Sequence, residues 1–192
     1  YDGSPAWPDA DALWRIAAEE GITVLGSSAK YLAANAKANL HPGRDFDLQR
    51  LRTVLSTGSP LAPESFDYVY QRVKAGVHLA SISGGTDIIS CFLLGNPLLP
   101  VRRGELQCAG LGMAVAIYDE RGRPLSEGRG ELVCERPFPS MPLGFWNDAG
   151  GRRYHEAYFA RFPGIWAHGD HAERRPSGGF IIHGRSDAVL NP

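Results

Sequence analysis

The stretch Ile82-Ser83-Gly84-Gly85-Thr86-Asp87-Ile88-Ile89 places glycine, hydroxyl and carboxylate groups directly after a short apolar segment. We interpret it as the loop that follows a β-strand. Glycine lets the backbone approach a ligand closely, a threonine hydroxyl can hydrogen-bond to a phosphate oxygen, and an aspartate can bind magnesium. Taken alone, a solvent-exposed turn explains these residues better, because Gly-Gly and Thr-Asp are common in turns.

An alternation of helices and strands precedes this loop. Helical spacing of apolar residues predicts helices over 9–21, 27–40 and 63–74, and short apolar runs predict strands over 22–25, 53–56 and 78–82. Such alternation builds a parallel sheet, and ligands bind beyond the carboxyl ends of its strands. We therefore expect Gly58-Ser59-Pro60, after the second strand, to line one crevice with Gly84–Asp87.

The pattern changes beyond residue 104. Short strands are predicted over 115–118 and 131–134, a short helix over 152–162, and a hairpin from 172–175 with 180–183. We predict an α/β fold, with a parallel βα sheet subdomain over 1–104. A smaller, antiparallel, β-rich and barrel-like subdomain is expected to follow over 105–192.

The composition favours small-molecule partners. The 192 residues are 43% hydrophobic and 21% charged, with a formal net charge of −1, so we expect no binding to nucleic acid or to an anionic membrane. Three cysteines without metal-ligand spacing indicate neither a disulfide framework nor a zinc site, which fits a cytoplasmic protein. Because the chain starts at Tyr1 and stops just after a motif, we expect a fragment of a longer protein.

Two charged residues of the second half are candidates for nucleotide contacts. Asp170 follows His168-Gly169 at a predicted strand end, where a carboxylate can accept both hydroxyls of a ribose. Arg185 offers a forked, always-charged donor to a phosphate or ribose oxygen. A turn aspartate and a surface ion pair between Arg185 and Asp187 are the alternative interpretations. The six histidines show no zincin spacing, and no phosphate loop of the Walker type, G-x-G-x-x-G run or nucleophile elbow is present.

Four runs occur in a single order: Ser56–Pro60, Ile82–Ile89, Trp166–Asp170 and Gly184–Asp187. Together they resemble the AMP-forming acyl-CoA synthetase family over nearly the whole chain. Within this family of adenylate-forming enzymes, they are most similar to the members that activate acetoacetate. The resemblance implies part of the large amino-terminal domain of that fold.

The resemblance also implies an acid–CoA ligase of lipid metabolism. Acetoacetate would react with ATP to give acetoacetyl-AMP and diphosphate, and the thiol of coenzyme A would then displace AMP. The implied cofactors are ATP, Mg²⁺ and coenzyme A, and the implied partner is a missing carboxy-terminal domain of the same chain.

The same resemblance assigns roles to individual residues. Gly58, Ser59, Pro60 and Ile182 would lie at the adenine, Asp170 at the ribose, Thr86 at the α-phosphate, Asp87 at magnesium, Arg185 at ribose or phosphate oxygens, Gly84 and Gly85 at the acyl pocket, and Asp187 at the hinge to the missing domain. Thr86, Asp87 and Arg185 would form the catalytic set.

Two departures from the family pattern bear on the substrate. Ser83 stands where relatives commonly have an aromatic residue, and Gly84 stands where acetate-activating relatives have tryptophan. Gly84 therefore suggests a roomier acyl pocket, which fits acetoacetate and equally a butyrate-like acid. The phosphate loop would precede Tyr1 and the catalytic lysine would follow Pro192, so we expect the 192 residues alone not to turn over. A carrier-protein acceptor and a non-catalytic nucleotide-binding fragment are the alternatives.

Overall fold

The computed structural model of the chain describes residues 1–186 and contains two compact units. The first unit comprises Tyr1–Ile82 and Gly95–Glu105. The second comprises Ser83–Leu94 and the described residues from Leu106 onward. The units are thus interleaved along the sequence, and the predicted domain boundary at residue 104 stays a prediction.

The first unit is built on a three-stranded parallel sheet of order β1-β2-β3, which confirms the predicted βα pattern. Its elements are α1 (Ala12–Glu19), β1 (Val24–Ser28), α2 (Ala29–Lys37), α3 (Pro42–Asp45), β2 (Thr53–Thr57), α4 (Pro63–Tyr68) and β3 (His78–Ser81). The predicted third helix is a composite, because α4 continues as a π-helical turn over Val69–Val73. Ser28 caps α2 by accepting a hydrogen bond from the Tyr31 amide at 3.1 Å.

Apolar burial holds the first unit together. Trp14 and Leu32 from the helices and Val54 from β2 are fully buried in a single cluster. The Trp14 indole donates to Asn35 Oδ1 at 2.5 Å, so the polar atom of this buried ring is satisfied.

A lysine closes the loop between α3 and β2. The Lys74 ammonium donates to the backbone oxygens of Leu48, Gln49 and Leu51 at 3.0, 2.7 and 2.7 Å. Lys74 therefore satisfies carbonyl groups of a segment that has little regular structure.

The second unit contains two antiparallel sheets, as predicted for the carboxy-terminal half. The first has the order β4-β5-β6, and its strands are Ser83–Gly85, Ser90–Leu94 and Cys108–Ala109. The second has the order β10-β9-β8-β7, and its strands are β7 (Val115–Tyr118), β8 (Gly128–Cys134), β9 (Trp166–Arg174) and β10 (Phe180–Arg185). The helix α5 spans Arg152–Tyr158 and is shorter than predicted.

Two predictions of local structure were wrong in this unit. Ser83, Gly84 and Gly85 do not form a loop but the strand β4, which pairs antiparallel with β5. His168–Asp170 does not end a strand but lies inside β9, because the ladder continues on both sides of a bulge. Over residues 1–186, the structure contains no helix that is long and apolar enough to cross a membrane.

Candidate functional site

The two glycines of β4 lie in places where a side chain has little room. A Cβ atom on Gly84 would collide with the backbone oxygen of Ser90 and lie 2.7 Å from Cys91 Cα. A Cβ atom on Gly85 would collide with Asp87 Oδ1 and lie 3.3 Å from His168 Cε1. The side-chain direction of Gly84 therefore faces the neighbouring strand, so the missing side chain does not by itself open an acyl pocket. The assignment of Gly84 and Gly85 to that pocket stays a prediction.

A bulge in β9 shapes the next part of the site. Glu131 pairs with His171 and Val133 pairs with Ala167, so the three residues His168–Asp170 lie opposite Leu132 alone. Gly169 has φ +80°, a conformation that glycine adopts without strain. Bulges of this kind redirect side chains at functional sites.

Glu131 anchors the bulge from β8. Its buried carboxylate accepts hydrogen bonds from the Gly169 amide at 3.0 Å and the Ser186 hydroxyl at 2.9 Å. It also forms an ion pair with Arg161. A buried carboxylate is retained only where such partners compensate for its lost hydration. Sequence analysis missed Glu131, although it is the one charged residue of the predicted strand over 131–134, which was a usable signal.

Asp170 and Arg185 are brought together by the pairing of β9 with β10. Arg185 Nη1 donates to the His168 backbone oxygen at 3.1 Å and to Asp170 Oδ1 at 3.4 Å. Asp170 is buried, and the Arg185 side chain is 49% exposed. This ion pair joins two of the predicted nucleotide contacts. Asp187, predicted as the hinge and as the alternative partner of Arg185, lies outside the described residues.

His168 is buried next to Asp170 and packs against aromatic side chains. The Trp166 indole donates to His168 Nδ1 at 3.4 Å, and the Phe92 ring packs edge-on at 4.8 Å between centroids. The other ring nitrogen of His168, Nε2, lies 3.8 Å from Asp170 Oδ2. Sequence analysis gave His168 no role, and its contacts identify it as a support for Asp170.

Asp87 receives a hydrogen bond from a residue that sequence analysis missed. The Tyr158 hydroxyl donates to Asp87 Oδ2 at 2.7 Å, and the tyrosine ring stacks on Trp166 with centroids 3.7 Å apart. Burial, followed by the hydrogen bond to Asp87, raises the pKa of Tyr158, so its phenol is protonated at neutral pH. Asp87 and Tyr158 are 71 residues apart, and no local sequence signal connects them.

A pocket of about 440 Å³ brings several predicted residues together. It is lined by Gly84, Gly85, Thr86, Asp87, Ala157, Tyr158, His168 and Arg185. The three residues of the predicted catalytic set thus share one cavity. Within residues 1–186, no three histidine, cysteine, aspartate or glutamate side chains form a group that could hold a metal ion. A cation in this pocket would therefore need oxygens from a ligand or water beside the carboxylate of Asp87.

The other predicted contacts lie elsewhere in the fold. Ile182 is buried in the apolar core of the second unit, on β10. Gly58, Ser59 and Pro60 follow β2 in the first unit, and Gly58 has φ +82°. Their predicted contacts with adenine stay predictions.

Comparison with known proteins gives consistent matches along the chain. No protein-family model matches. The chain is 57% identical over 192 residues to the acetoacetyl-coenzyme A synthetase of Rhizobium meliloti (strain 1021), covering 100% of this chain and 30% of that protein. It is 51% identical to the acetoacetyl-CoA synthetase of Gallus gallus, covering 100% of this chain and 29% of that protein. The chain thus spans less than a third of the length of these relatives.

Two solved structures share the fold. The acetoacetyl-CoA synthetase from Streptomyces lividans superposes with a TM-score of 0.91 at 49% identity, covering 100% of this chain and 30% of that one. The anthranilate CoA ligase AuaEII, solved with anthranoyl-AMP, gives a TM-score of 0.79 at 20% identity, covering 99% of this chain and 34% of that one. The second match speaks to the fold alone. The chain is therefore homologous along its whole length to a segment of the acetoacetyl-CoA synthetases and shares their fold.

Proposed function

We propose that the intact protein carrying this chain is an acetoacetate–CoA ligase. In the first step, a carboxylate oxygen of acetoacetate forms a bond to the α-phosphorus of ATP, and the bond to the bridging oxygen breaks to release diphosphate. In the second step, the sulfur of coenzyme A attacks the acyl carbon, AMP leaves, and the thiol proton is released. We further propose that the reaction serves lipid metabolism in the cytoplasm.

One observation carries this proposal. Thr86, Asp87 and Arg185, the residues predicted to act on the phosphates, line a single pocket in a chain that is 57% identical to an acetoacetyl-coenzyme A synthetase. A hydroxyl donor, a carboxylate and a guanidinium suit a polyphosphate with its cation. These side chains therefore support a role of the pocket in holding the phosphates and their cation.

The residues around the pocket suit a nucleoside monophosphate. We propose that Asp170 accepts the ribose hydroxyls, that Arg185 bonds a ribose or phosphate oxygen, and that Thr86 bonds the α-phosphate. Ile182 and the Gly58–Pro60 turn are proposed at the adenine. The ion pair of Arg185 with Asp170 supports this arrangement, because it fixes a donor beside an acceptor before the nucleotide arrives.

Magnesium fits Asp87 in this scheme. Mg²⁺ is commonly held by one or two protein carboxylates together with phosphate oxygens and water, and Asp87 is an exposed carboxylate at the pocket. When bound, the cation would neutralise the charge that develops on the phosphates. The chain's own part is to orient Asp87 and to present Thr86 and Arg185 to the α-phosphate. The family resemblance also implies a phosphate loop and a catalytic lysine. These would lie in the parts of the relatives that this chain does not cover.

Diphosphate release by the intact protein tests the proposal. The assay contains ATP and Mg²⁺ and compares acetoacetate with acetate, butyrate and no acid. We expect release that depends on acetoacetate, together with formation of AMP. Equal rates with butyrate would favour another short-chain acid, and an absence of acid-dependent release would refute the ligase. Residues 1–192 expressed alone are expected to give no turnover.

A further inference from the structure

The carboxylate of Asp87 is held at both oxygens although its side chain is exposed. Oδ2 accepts the hydrogen bond from the Tyr158 hydroxyl at 2.7 Å, and Oδ1 accepts one from the Ile88 amide at 3.1 Å. A carboxylate has about four lone-pair sites, so two hydrogen bonds leave acceptor capacity on the group. The side chain is thus oriented and still able to bind a cation.

Tyr158 is fixed by the aromatic cluster behind it. Its ring lies nearly parallel to the buried Trp166, with an interplanar angle of 13°. Tyr154 and Phe145 pack against its edges at 5.6 and 5.7 Å between centroids. These contacts restrict the ring, so the position of the phenol oxygen is determined by β9 and α5 rather than by the turn that carries Asp87.

This arrangement matters for a cation because an exposed aspartate samples several rotamers. Ordering it at the moment of binding costs conformational entropy, and a hydrogen bond that is already in place removes part of this cost. Hydrogen-bond partners behind a metal-binding carboxylate typically change metal affinity by about 10- to 100-fold. The hydrogen bond between Tyr158 and Asp87 joins residues that are 71 positions apart in the sequence. It therefore links the end of α5 to the turn between β4 and β5.

We propose that Tyr158 is a positioning residue that orients Asp87 for the cation of the bound nucleotide. The proposal rests on the ligase function proposed above. Tyr158 does not need to touch the cation, since its phenol acts through Asp87.

Substitution of Tyr158 by phenylalanine removes the hydroxyl and keeps the ring on Trp166. The matched control is Tyr154→Phe on the same helix, whose hydroxyl donates to the Pro142 backbone oxygen at 2.6 Å. Electron paramagnetic resonance measures Mn²⁺ binding by the intact protein in the presence of a non-hydrolysable ATP analogue. We expect Tyr158→Phe to weaken Mn²⁺ binding by about tenfold, because the loss of a hydrogen bond to a metal-binding carboxylate typically costs at least that much affinity. AMP binding without metal and the control variant should stay within twofold of the wild type.

A double-mutant cycle separates positioning from a structural role. If Tyr158 acts through Asp87, Tyr158→Phe causes no further loss of Mn²⁺ affinity in the Asp87→Asn background. An equal loss in both backgrounds, or wild-type affinity in Tyr158→Phe, would overturn the inference while an active wild type leaves the ligase function standing. If the wild type releases no acetoacetate-dependent diphosphate, the ligase function fails and the inference fails with it.

Discussion

The two compact units bury polar side chains of different chemical kinds. Among the described residues, the buried polar side chains of the first unit are neutral: Asn35, Ser56, Ser65 and Ser81. Those of the second unit are Glu131, His168, Asp170 and Glu173 together with Gln107. The first unit therefore relies on apolar packing, whereas the second compensates buried carboxylates with ion pairs and hydrogen bonds.

Buried charge is thus concentrated in the second unit. A buried ion pair is often no more stabilising than an apolar pair of similar size, so buried charge is weak evidence of a stabilising role. In the second unit, Glu131 and Asp170 hold the bulge and the arginine of the candidate site. We infer that these charges are kept for the geometry of the pocket.

The largest loss of stability is expected when a buried carboxylate of the second unit is removed. Glu131→Ala removes a buried carboxylate that serves Arg161, the Gly169 amide and the Ser186 hydroxyl. We expect local stability of β8 and β9 to fall by about 3 kcal/mol, because the Gly169 amide and the Ser186 hydroxyl each lose a hydrogen bond to a charged acceptor, and such bonds contribute about 1.5 to 3 kcal/mol each. Amide hydrogen exchange measured by mass spectrometry reports each unit separately.

The matched change in the first unit is Asn35→Ala, which removes the acceptor of the Trp14 indole. Leaving one neutral buried N–H without an acceptor costs about 1 to 3 kcal/mol, so we expect an effect that is smaller than that of Glu131→Ala and confined to peptides of the first unit. Equal losses for the two variants would break the comparison.

The next effect tests whether Gly84 serves packing or substrate space. Gly84→Ala would push its methyl group into the Ser90 backbone, and overpacking of this kind costs about 2 kcal/mol. Exchange of peptides from β4 and β5 should increase. Gly26→Ala on β1 is the control, because a Cβ atom there has open space and alanine reduces the freedom of the unfolded chain. If Gly84→Ala is as stable as the wild type but prefers acetate, the roomier acyl pocket is favoured instead.

Acid should weaken the charged network of the second unit through Glu173. Hydrogen bonds from Arg175, Arg129 and His183 lower the pKa of Glu173 from 4.5 to about 2. Because the folded-state pKa is the lower one, the stabilisation is complete above pH 4.5 and is lost as the pH falls towards 2. Glu173→Gln should cost about 1 to 2 kcal/mol at pH 6, as expected for loss of a charged hydrogen-bond acceptor.

The measurement is denaturant unfolding of wild type and Glu173→Gln at pH 6 and at about pH 3. The stability difference between the two proteins should shrink at the lower pH. A difference that stays constant would show that ionisation of Glu173 does not contribute.

The smallest effect is expected from a surface ion pair of the first unit. Arg103 donates to Asp67 at 2.9 Å, and its side chain is 54% exposed. Exposed pairs contribute little to stability because water and salt screen them, so Arg103→Met should leave the denaturant midpoint of unfolding nearly unchanged. Raising the salt concentration should reduce even this difference. A loss as large as that of Glu131→Ala would contradict the view that the first unit relies on apolar packing.

The fold was predictable from sequence where local periodicity determines the element. The alternation up to His78–Ser81 follows from apolar spacing, and the parallel sheet follows from the alternation. Strand β4 was missed because Ser83-Gly84-Gly85 has no strand propensity of its own and forms only by pairing with β5. The bulge at Gly169 depends on pairing with two neighbouring strands, which local sequence does not encode.

Only part of the candidate site, chiefly residues that line its pocket, could be predicted from the sequence. Thr86, Asp87 and Arg185 were identified by residue type and by resemblance, and the structure places them at one pocket. Tyr158 and Glu131 act through contacts across 71 and 38 residues, and their partners become visible only after folding. Side chains that orient others leave little trace in a single sequence, because their role lies in distant contacts rather than in local spacing.

The interleaving of the two units has a consequence for synthesis on the ribosome. The first unit includes Gly95–Glu105, whose Arg103 pairs with Asp67, so it is incomplete until those residues have left the exit tunnel. By then Ser83–Leu94 has already emerged, although the rest of the second unit, from Leu106 onward, is translated later. Nascent chains therefore pass through a stage in which β4 and β5 are present without β6, and no single cut in the sequence separates the two units intact.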